Sequence, residues 1–336
     1  AGDALAPAWQ LLSDALLSVG RGAPMGSLPE GPQRSDPRAQ LAADVLRSHR
    51  AENDGEAEEA MEAARSAWQR ARSLDERWAE GMAADLAAQL AAQSARPAEA
   101  MTWIQRAGAV FAEFDAQDQI DHQEWVRGGA LLCLGRGDEA RSLFSRLVEE
   151  GGLSQDGVEL GSIGLYGLAE ADLLEGRRAD ATEGFRRAMA AFADPVHRRS
   201  PWYLMALSGY VSAAVRELEV PEVELAVWER RLRTRTIAAC RLRREGVDRP
   251  VLGTALIGWS AWAIRQPELI GRGTAAVALA EVLGGRQNMP SLSLAVHLAD
   301  AERIAGSAEV AEARADAAAL DPDERVARGL AVLGAR

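Results

Sequence analysis

Residues of the kinds that perform chemistry are few and scattered in this sequence. The histidines are His49, His122, His197 and His297, and the cysteines are Cys133 and Cys240. Imidazole and carboxylate groups come together in the run Asp121-His122-Gln123-Glu124, which has the side-chain types of a metal site. We favour solvated polar groups of a helix for this run, and we expect no bound metal.

Sequence motifs of common enzymes are also missing. There is no Gly-x-Ser-x-Gly elbow, no His-Glu-x-x-His, no Cys-x-x-Cys and no P-loop. All 38 basic residues are arginine, so the chain has no lysine for a Walker-A motif or a Schiff base. The run Gly271-Arg272-Gly273 imitates a dinucleotide fingerprint, but without a preceding strand we interpret it as a turn into a helix. We therefore expect no enzymatic activity and no cofactor.

The composition narrows the class of protein further. At a net charge of −12 the chain as a whole repels a nucleic-acid backbone, so we expect no direct nucleic-acid contact. No uncharged apolar stretch is long enough to span a membrane, and we expect no membrane partner. Cys133 and Cys240 lie far apart in apolar helical contexts, which favours buried free thiols and a cytoplasmic location. Because the chain begins at Ala1 without a methionine, we interpret it as a processed or excised piece.

The elements that position these residues recur with a fixed period. Four predicted helix-turn-helix joints end on alanines spaced by 40, 40 and 41 residues: Ala60, Ala100, Ala140 and Ala181. Positions four and seven residues later are small or apolar: Ala64 and Ala67, Ile104 and Ala107, Phe144 and Leu147, Phe185 and Ala188. A small residue lets two helices approach closely, and the later positions lie on the same helix face. The pattern predicts an all-α superhelix of stacked helical hairpins with about 40 residues per repeat and about eight units.

Capping signals and prolines mark individual helices. Asp36-Pro37, Ser200-Pro201 and Asp321-Pro322 each pair an N-cap residue with proline at the first helical position. Asp321 and Glu324 also have the spacing of a capping box. Residues 200–218, 222–244 and 251–264 each predict one helix. The joint at Gly306 predicts a last hairpin with three inward alanines: Ala311, Ala315 and Ala318.

A glycine- and proline-rich stretch defines the domain boundaries. It separates a first predicted helix from the repeats and contains Gly26, Pro29, Gly31 and Pro32. We predict an N-terminal helix in residues 1–19, a linker in residues 20–38 and a helical-repeat domain in residues 39–336.

The register of the repeat predicts which side chains face the concave side of the superhelix. If the marker alanines are equivalent, seven residues line a groove: His49, Asp85, Gln89, His122, Trp125, Tyr166 and Glu170. A lining of mixed polar and aromatic side chains suits the capture of a peptide or a small ligand. Trp125 and Tyr166 have a second interpretation as residues that simply pack in the core.

An arginine-rich helix offers a second candidate surface. Its apolar residues recur at helical spacing, which indicates an amphipathic helix: Trp228, Leu232, Ala239 and Leu242. The basic docking face consists of Arg230, Arg231, Arg235, Arg241, Arg243 and Arg244. We favour pairing of these arginines with acidic residues of adjacent hairpins, and an acidic protein partner or a nucleic acid are the alternatives.

The repeat residues resemble a known family. Gly135, Ala140 and Phe144, with their equivalents Gly176, Ala181 and Phe185, are similar to tetratricopeptide repeats, although 40 residues exceed the usual 34. Residues 165–176, 200–206 and 250–262 resemble the C-terminal repeat region of large actinobacterial regulators of the SARP/AfsR-like group. In that family a DNA-binding domain, and often an NTPase module, precede such repeats, and this chain contains neither.

The resemblance implies a sensor or regulatory domain of a transcriptional regulator. Such a domain binds a protein or peptide partner, or a small-molecule effector, and controls attached DNA-binding and NTPase domains. A free-standing interaction scaffold of the tetratricopeptide type is the alternative function. A homo-oligomer is compatible with both.

Overall fold

The computed structural model describes residues 36–150, 160–192, 200–242 and 247–335. Within these ranges the protein is all-α, with fifteen α-helices, two short 3₁₀ helices and no strand. Consecutive helices pack against each other along the chain, so the predicted superhelix of helical hairpins is confirmed. The predicted N-terminal helix and nearly all of the predicted linker lie outside the described residues.

The first six helices start at equal intervals. They are α1 (Pro37–Asn53), α2 (Ala57–Ser73), α3 (Arg77–Gln93), α4 (Pro97–Glu113), α5 (Gln117–Cys133) and α6 (Gly137–Glu150). Each begins 20 residues after the one before it, so the 40-residue repeat consists of two equal halves. The sequence analysis had found the full period and missed the half period.

The same three-residue turn joins these helices. Its central residue has a positive φ in every case: Gly55 (78°), Asp75 (56°), Ala95 (55°), Asp115 (50°) and Gly135 (75°). Glycine adopts this left-handed conformation without strain, whereas alanine adopts it at a cost of about 1 kcal/mol. The half period is hidden in the sequence because three of these five turns lack the expected glycine.

The later helices are unequal in length. They are α7 (Leu160–Leu174), α8 (Arg178–Ala191), α9 (Pro201–Arg216), α10 (Glu222–Leu242), α11 (Arg249–Ala263), α12 (Ile270–Val282), α13 (Leu294–Ala305), α14 (Ser307–Ala319) and α15 (Pro322–Val332), with 3₁₀ helices at Pro267–Leu269 and Pro290–Leu292. The side chains of Asp36, Ser200 and Asp321 cap helices that begin with proline, as predicted. Asp321 and Glu324 form the predicted capping box.

Up to α11, the helices form an inner and an outer layer. The odd-numbered helices α3, α9 and α11 are buried on nearly all sides. The even-numbered helices α2 and α4 bury one face and expose the other. A helix that is apolar on all sides must be covered on all sides, so the odd-numbered helices form the inner layer.

The predicted repeat positions lie at the contacts between helices. All four marker alanines are completely buried, namely Ala60, Ala100, Ala140 and Ala181. The residues four and seven positions later are buried as well. Phe144 shows why small residues are needed opposite the large ones, because a Cβ atom on Gly128 or Gly167 would overlap its ring. The period therefore reports a steric fit that repeats along the superhelix.

The prediction for the last hairpin was wrong by one position. The joint at Gly306 is present, with φ of 104°. The alanines predicted to pack inward are exposed: Ala311, Ala315 and Ala318. The buried residues of α14 are Val310 and Ala317, one position earlier. Burial of the larger Val310 removes more apolar area from water, so it sets the rotation of the helix.

The superhelix closes on itself between α1 and the α11–α12 region. Arg249 Nη1 donates to the backbone oxygen of Asp54 at 3.0 Å, and its guanidinium lies 3.5 Å from the Asp54 carboxylate. The backbones of Gly55 and Leu283 pack so closely that a Cβ atom on Gly55 would lie 2.7 Å from the Leu283 carbonyl oxygen. The end of the array is therefore fixed to its beginning.

Candidate functional site: the inner face and the segment that covers it

The predicted groove residues lie on inner-layer helices, and most of them are buried. Five of the seven are in the interior: Asp85, His122, Trp125, Tyr166 and Glu170. His49 and Gln89 are partly buried. The inner face is thus not the open groove that the sequence suggested, because other parts of the same chain cover it.

A polar network joins α3 and α5 on the inner face. Asp85 accepts hydrogen bonds from Gln89 Nε2 and Gln123 Nε2, both at 2.9 Å. Gln89 Nε2 also lies 3.4 Å from His122 Nε2. Burial raises the pKa of the Asp85 carboxyl above its ordinary value. These groups hold two neighbouring inner helices together through their polar side chains.

Trp125 belongs to the packed core. Its ring meets that of Trp202 on α9 edge to face, with the ring centroids 4.3 Å apart. Its other aromatic neighbour is His122, at 6.0 Å between centroids. The interpretation of Trp125 as a packing residue is therefore favoured over direct contact with a partner. Removal of this side chain would disturb the core together with any binding site.

Residues 284–293, which connect α12 to α13, run along the inner face; we call this segment the strap. Its backbone contacts several inner helices. The amide of Gln287 donates to the backbone oxygen of Gln93 on α3 at 3.0 Å. The thiol of Cys133 on α5 lies 3.7 Å from the backbone oxygen of Asn288. Gly129 makes room for this passage, because a Cβ atom there would lie 2.6 Å from the Asn288 oxygen.

The strap is fixed most firmly at Ser291. Its amide donates to Glu170 Oε2 on α7 at 3.2 Å, and its hydroxyl donates to Glu170 Oε1. Its carbonyl oxygen accepts from Ser212 Oγ on α9 at 2.7 Å and lies 2.9 Å from His297 Nε2 on α13. All four of these residues are buried. One strap residue is therefore bound through its amide, its hydroxyl and its carbonyl.

Burial shifts the two titratable groups of this contact in opposite senses. Burial raises the pKa of the Glu170 carboxyl from 4.5 to about 7, against the opposing effect of the hydrogen bonds from Ser291. Burial lowers the pKa of His297 from 6.5 to about 4. The environment thus favours the neutral form of both groups, as expected for polar side chains enclosed in an apolar core.

Arg286 links the strap to the closure of the superhelix. Its guanidinium lies 3.4 Å from the Glu52 carboxylate on α1 and 3.5 Å from that of Asp248. Its amide donates to Thr254 Oγ1 on α11 at 2.8 Å. Although burial by itself raises the pKa of Glu52, hydrogen bonding to His49 and the charge of Arg286 lower it to about 2. His49, a predicted groove residue, therefore takes part in the closing contacts.

Several polar atoms under the strap have spare hydrogen-bonding capacity. Within the described residues, no protein partner is found for His122 Nδ1, Trp125 Nε1 or the side-chain amide of Asn288. Buried polar groups are normally hydrogen-bonded, and each exception calls for an explanation. Sequence reasoning missed the strap, although the chain has two asparagines in all and one of them, Asn288, lies at this point.

The arginine-rich face lies on α10, in the outer layer. Arg230, Arg231, Arg235 and Arg241 are exposed. Arg243 and Arg244 lie outside the described residues. Arg233 pairs with Glu229 of the same helix at 3.1 Å, and the guanidinium of Arg231 lies over the Trp228 ring, 4.6 Å from its centroid. Pairing with adjacent hairpins is therefore not seen for Arg231 and Arg233 in the described part of the chain.

The residues first considered for chemistry do not converge. Asp121 accepts from Gln117, and Glu124 pairs with Arg146, whereas His122 faces the inner polar network. No group of three described His, Cys, Asp or Glu side chains is placed to hold a metal ion. Within the same ranges neither cysteine is in a disulfide, and Cys133 is exposed, contrary to the predicted burial.

The described residues define a class of protein by architecture: an all-α helical-repeat superhelix whose inner face is covered by a segment of its own chain. No helix in the described part has the length and apolar character needed to cross a bilayer. The sequence matches no protein-family model, and no curated protein is similar enough to count as a relative.

Proposed function

We propose that this chain is a regulatory binding module that captures a protein or peptide partner on the inner face of its superhelix. The strap is the observation that carries this proposal. The inner helices bind it through its backbone at Gln287, Asn288 and Ser291. Binding of an extended segment through its main chain is a recurring mode of peptide recognition, with side-chain contacts adding specificity.

The strap also supplies a basis for regulation. A partner that binds the same surface must displace the strap, so the free energy of strap binding opposes the free energy of partner binding. Displacement would also pull on Arg286, which contacts Glu52 and so couples the inner face to the closure of the superhelix. Occupancy of the inner face would in this way change how the two ends of the array are held.

The finer assignment rests on the resemblance to SARP/AfsR-like regulators. In that setting the module would control attached DNA-binding and NTPase domains in the cytoplasm, and it would perform no catalysis itself. A small-molecule effector that uses the spare polar atoms of His122, Trp125 and Asn288 would act on the same element. A DNA-binding domain and an NTPase encoded ahead of these repeats in the same reading frame would support the regulator. A gene that encodes the repeats without them would favour the free-standing scaffold.

A strap-replacement experiment tests the binding function. In the full chain, residues 286–293 are replaced by glycine and serine in a segment of equal length. A labelled peptide with the sequence of residues 284–293 is then titrated and its fluorescence anisotropy measured. We expect the replaced variant to bind the peptide and the wild type, whose strap is in place, to bind it far more weakly.

A matched peptide serves as the specificity control. The same peptide with Ser291→Ala lacks the hydroxyl that donates to Glu170, and we expect about ten-fold weaker binding. Circular dichroism of the replaced variant verifies that the helices are retained. A folded variant that ignores both peptides would refute the inner face as a peptide-binding surface.

A further inference from the structure

The outer face of α10 carries an exposed stripe that is apolar at one end and basic at the other. Val223, Val227, Arg231 and Arg235 follow each other at intervals of four residues, so they lie on one side of the helix. Val223 is 81% exposed and Val227 is 48% exposed, which is unusual for valine. Arg230 lies beside this row and is exposed too.

The arginines of the stripe are not neutralised by neighbouring carboxylates. Arg230 and Arg235 form no ion pair with any described residue, and Arg231 lies on the Trp228 ring. Other arginines of the outer layer behave differently: Arg186, for example, forms two hydrogen bonds with Glu224, at 2.7 and 2.9 Å. The stripe therefore presents uncompensated positive charge on a protein whose net charge is −12.

A groove of opposite character lies between α12, α14 and α15. Its volume is about 820 Å³. Its floor is made of small and apolar side chains: Ala275, Leu279, Ala313, Ala317, Leu320 and Ala331. Because most of these side chains are alanine, the backbone of an incoming helix can approach closely.

Acidic side chains form the rim of this groove. Glu309, Glu312 and Asp316 succeed one another on α14 at intervals of three and four residues, and all three are exposed. None of them forms an ion pair with a described residue, whereas nearby Glu281 pairs with Arg314 at 2.6 Å. Among the described residues that line the groove, Arg328 is the one base. The rim therefore presents uncompensated negative charge.

The two surfaces are complementary in length, charge and apolar character. The stripe from Val223 to Arg235 spans about 18 Å, and α14, with thirteen residues, is about 20 Å long. Three arginines of the stripe face three carboxylates of the rim, and the two valines supply apolar contacts for the alanine floor. We propose that α10 of one copy of this chain docks into the α12–α14–α15 groove of a second copy.

This contact joins two different surfaces, so it is heterologous and each copy offers one stripe and one groove. Surface ion pairs contribute little one by one, and they act here together with the burial of Val223 and Val227. We therefore expect a reversible, concentration-dependent self-association. The proposal is independent of the inner face, because none of its residues belongs to the strap or contacts it.

Two charge-reversed variants of the full chain test the proposal. The stripe variant carries Arg230→Glu, Arg231→Glu and Arg235→Glu, and the groove variant carries Glu309→Arg, Glu312→Arg and Asp316→Arg. We expect sedimentation equilibrium to show self-association of the wild type from micromolar to submillimolar concentration. Each variant alone should associate about 100-fold more weakly, because three attractive pairs become repulsive.

Mixing the variants gives the decisive measurement. The acidic stripe of the first variant matches the basic groove of the second, so the equimolar mixture should associate nearly as strongly as the wild type. A control variant with Glu56→Arg, Glu59→Arg and Glu62→Arg on the exposed face of α2 changes the net charge as the groove variant does, and it should associate like the wild type. A monomeric wild type, or a mixture that stays monomeric, would overturn the proposal. Loss of nucleic-acid or acidic-peptide binding by the stripe variant of a monomeric protein would assign the stripe to that partner instead.

Discussion

Residues 37–150 and residues 200–335 solve the same packing problem in different ways. In the first region every helix begins 20 residues after the last, and each contacts mainly its neighbours in sequence. In the second region the α-helices range from 11 to 21 residues, and the strap contacts helices far away along the chain. The first region is built from a repeated unit, whereas the second is built around one particular closure.

The difference shows which interactions set regularity and which set a single shape. Alanine and glycine against larger side chains, as at Gly128 and Phe144, fix the spacing of two adjacent helices wherever the pattern recurs. The buried polar contacts of Glu170, Ser291 and Arg286 occur once and define how the array ends. The regular part can be lengthened without changing its rule, but the closing part cannot.

The largest expected effect concerns steric fit in the regular region. Phe144→Ala removes a completely buried ring that fills the space between Gly128 on α5 and Gly167 on α7. We expect the free energy of unfolding to fall by about 3–5 kcal/mol. Urea denaturation followed by circular dichroism measures this loss. Phe114→Ala is the control, because that ring is 49% exposed and its removal should cost less than about 1 kcal/mol. Similar losses in both variants would mean that packing of the repeat does not dominate its stability.

The next effect concerns the polar contacts of the strap and depends on pH. The raised pKa of Glu170 gives a stabilisation that is complete below pH 4.5 and is lost as the pH rises towards 7. The lowered pKa of His297 gives a stabilisation that is complete above pH 6.5 and is lost as the pH falls towards 4. Each contribution amounts to about 3 kcal/mol, and between pH 4.5 and 6.5 the two slopes oppose each other.

Single variants should separate these slopes. Relative to the wild type, Glu170→Gln should gain about 3 kcal/mol of unfolding free energy between pH 4.5 and 7, and His297→Gln should lose about as much between pH 6.5 and 4. Chemical denaturation at a series of pH values measures both differences. Parallel pH profiles for the wild type and both variants would show that these groups do not titrate in the folded protein as their burial requires.

A matched pair of glycines compares the two regions directly. Gly55 and Gly135 have the same left-handed conformation, with φ of 78° and 75°. Gly135→Ala meets open space and should cost about 1 kcal/mol, whereas Gly55→Ala also drives a Cβ atom against the Leu283 carbonyl and should cost about 3 kcal/mol. Urea denaturation measures the costs, and hydrogen exchange near residue 283 reports whether the closure loosens. Equal costs would argue against a closure at this point.

The smallest expected effect relieves strain in the regular region. Ala95 occupies a left-handed turn position with φ of 55°. Ala95→Gly should raise the free energy of unfolding by about 0.5 kcal/mol, since relief of strain exceeds the entropy lost by glycine on folding. Ala109→Gly, at an exposed position inside α4, should instead lower it by about 1 kcal/mol. A thermal melt resolves opposite signs, and a shared sign would contradict the assigned turn conformation.

The regular region could be predicted because its information is local. Marker alanines such as Ala60 and Ala100 specify a contact between adjacent helices, and prolines such as Pro201 and Pro322 specify helix starts. The described bounds of α9, α10 and α11 agree with the predicted helices to within two residues. The half period escaped because Asp75, Ala95 and Asp115 hold turn positions where glycine would have announced it.

The cover of the inner face could not be predicted from the sequence in this way. The register did place Asp85 and Glu170 on inner helices, but whether an inner helix faces solvent depends on what lies over it. Gly284, Gly285 and Pro290 indicate a loop, and nothing in their types says on which side of the helices that loop passes. The strap contacts join residues as far apart as Glu170 and Ser291, 121 positions away. Such contacts are decided by the packing of the whole chain.

The late position of the strap in the sequence has a consequence for synthesis on the ribosome. The helices of residues 37–150 depend on their neighbours, so they can assemble while later helices are still being translated. The strap emerges only after α12, and until then the inner face around His122 lacks this cover. A nascent chain therefore presents to its surroundings a surface that the completed protein hides, and a partner present during translation meets a different molecule from one that arrives afterwards.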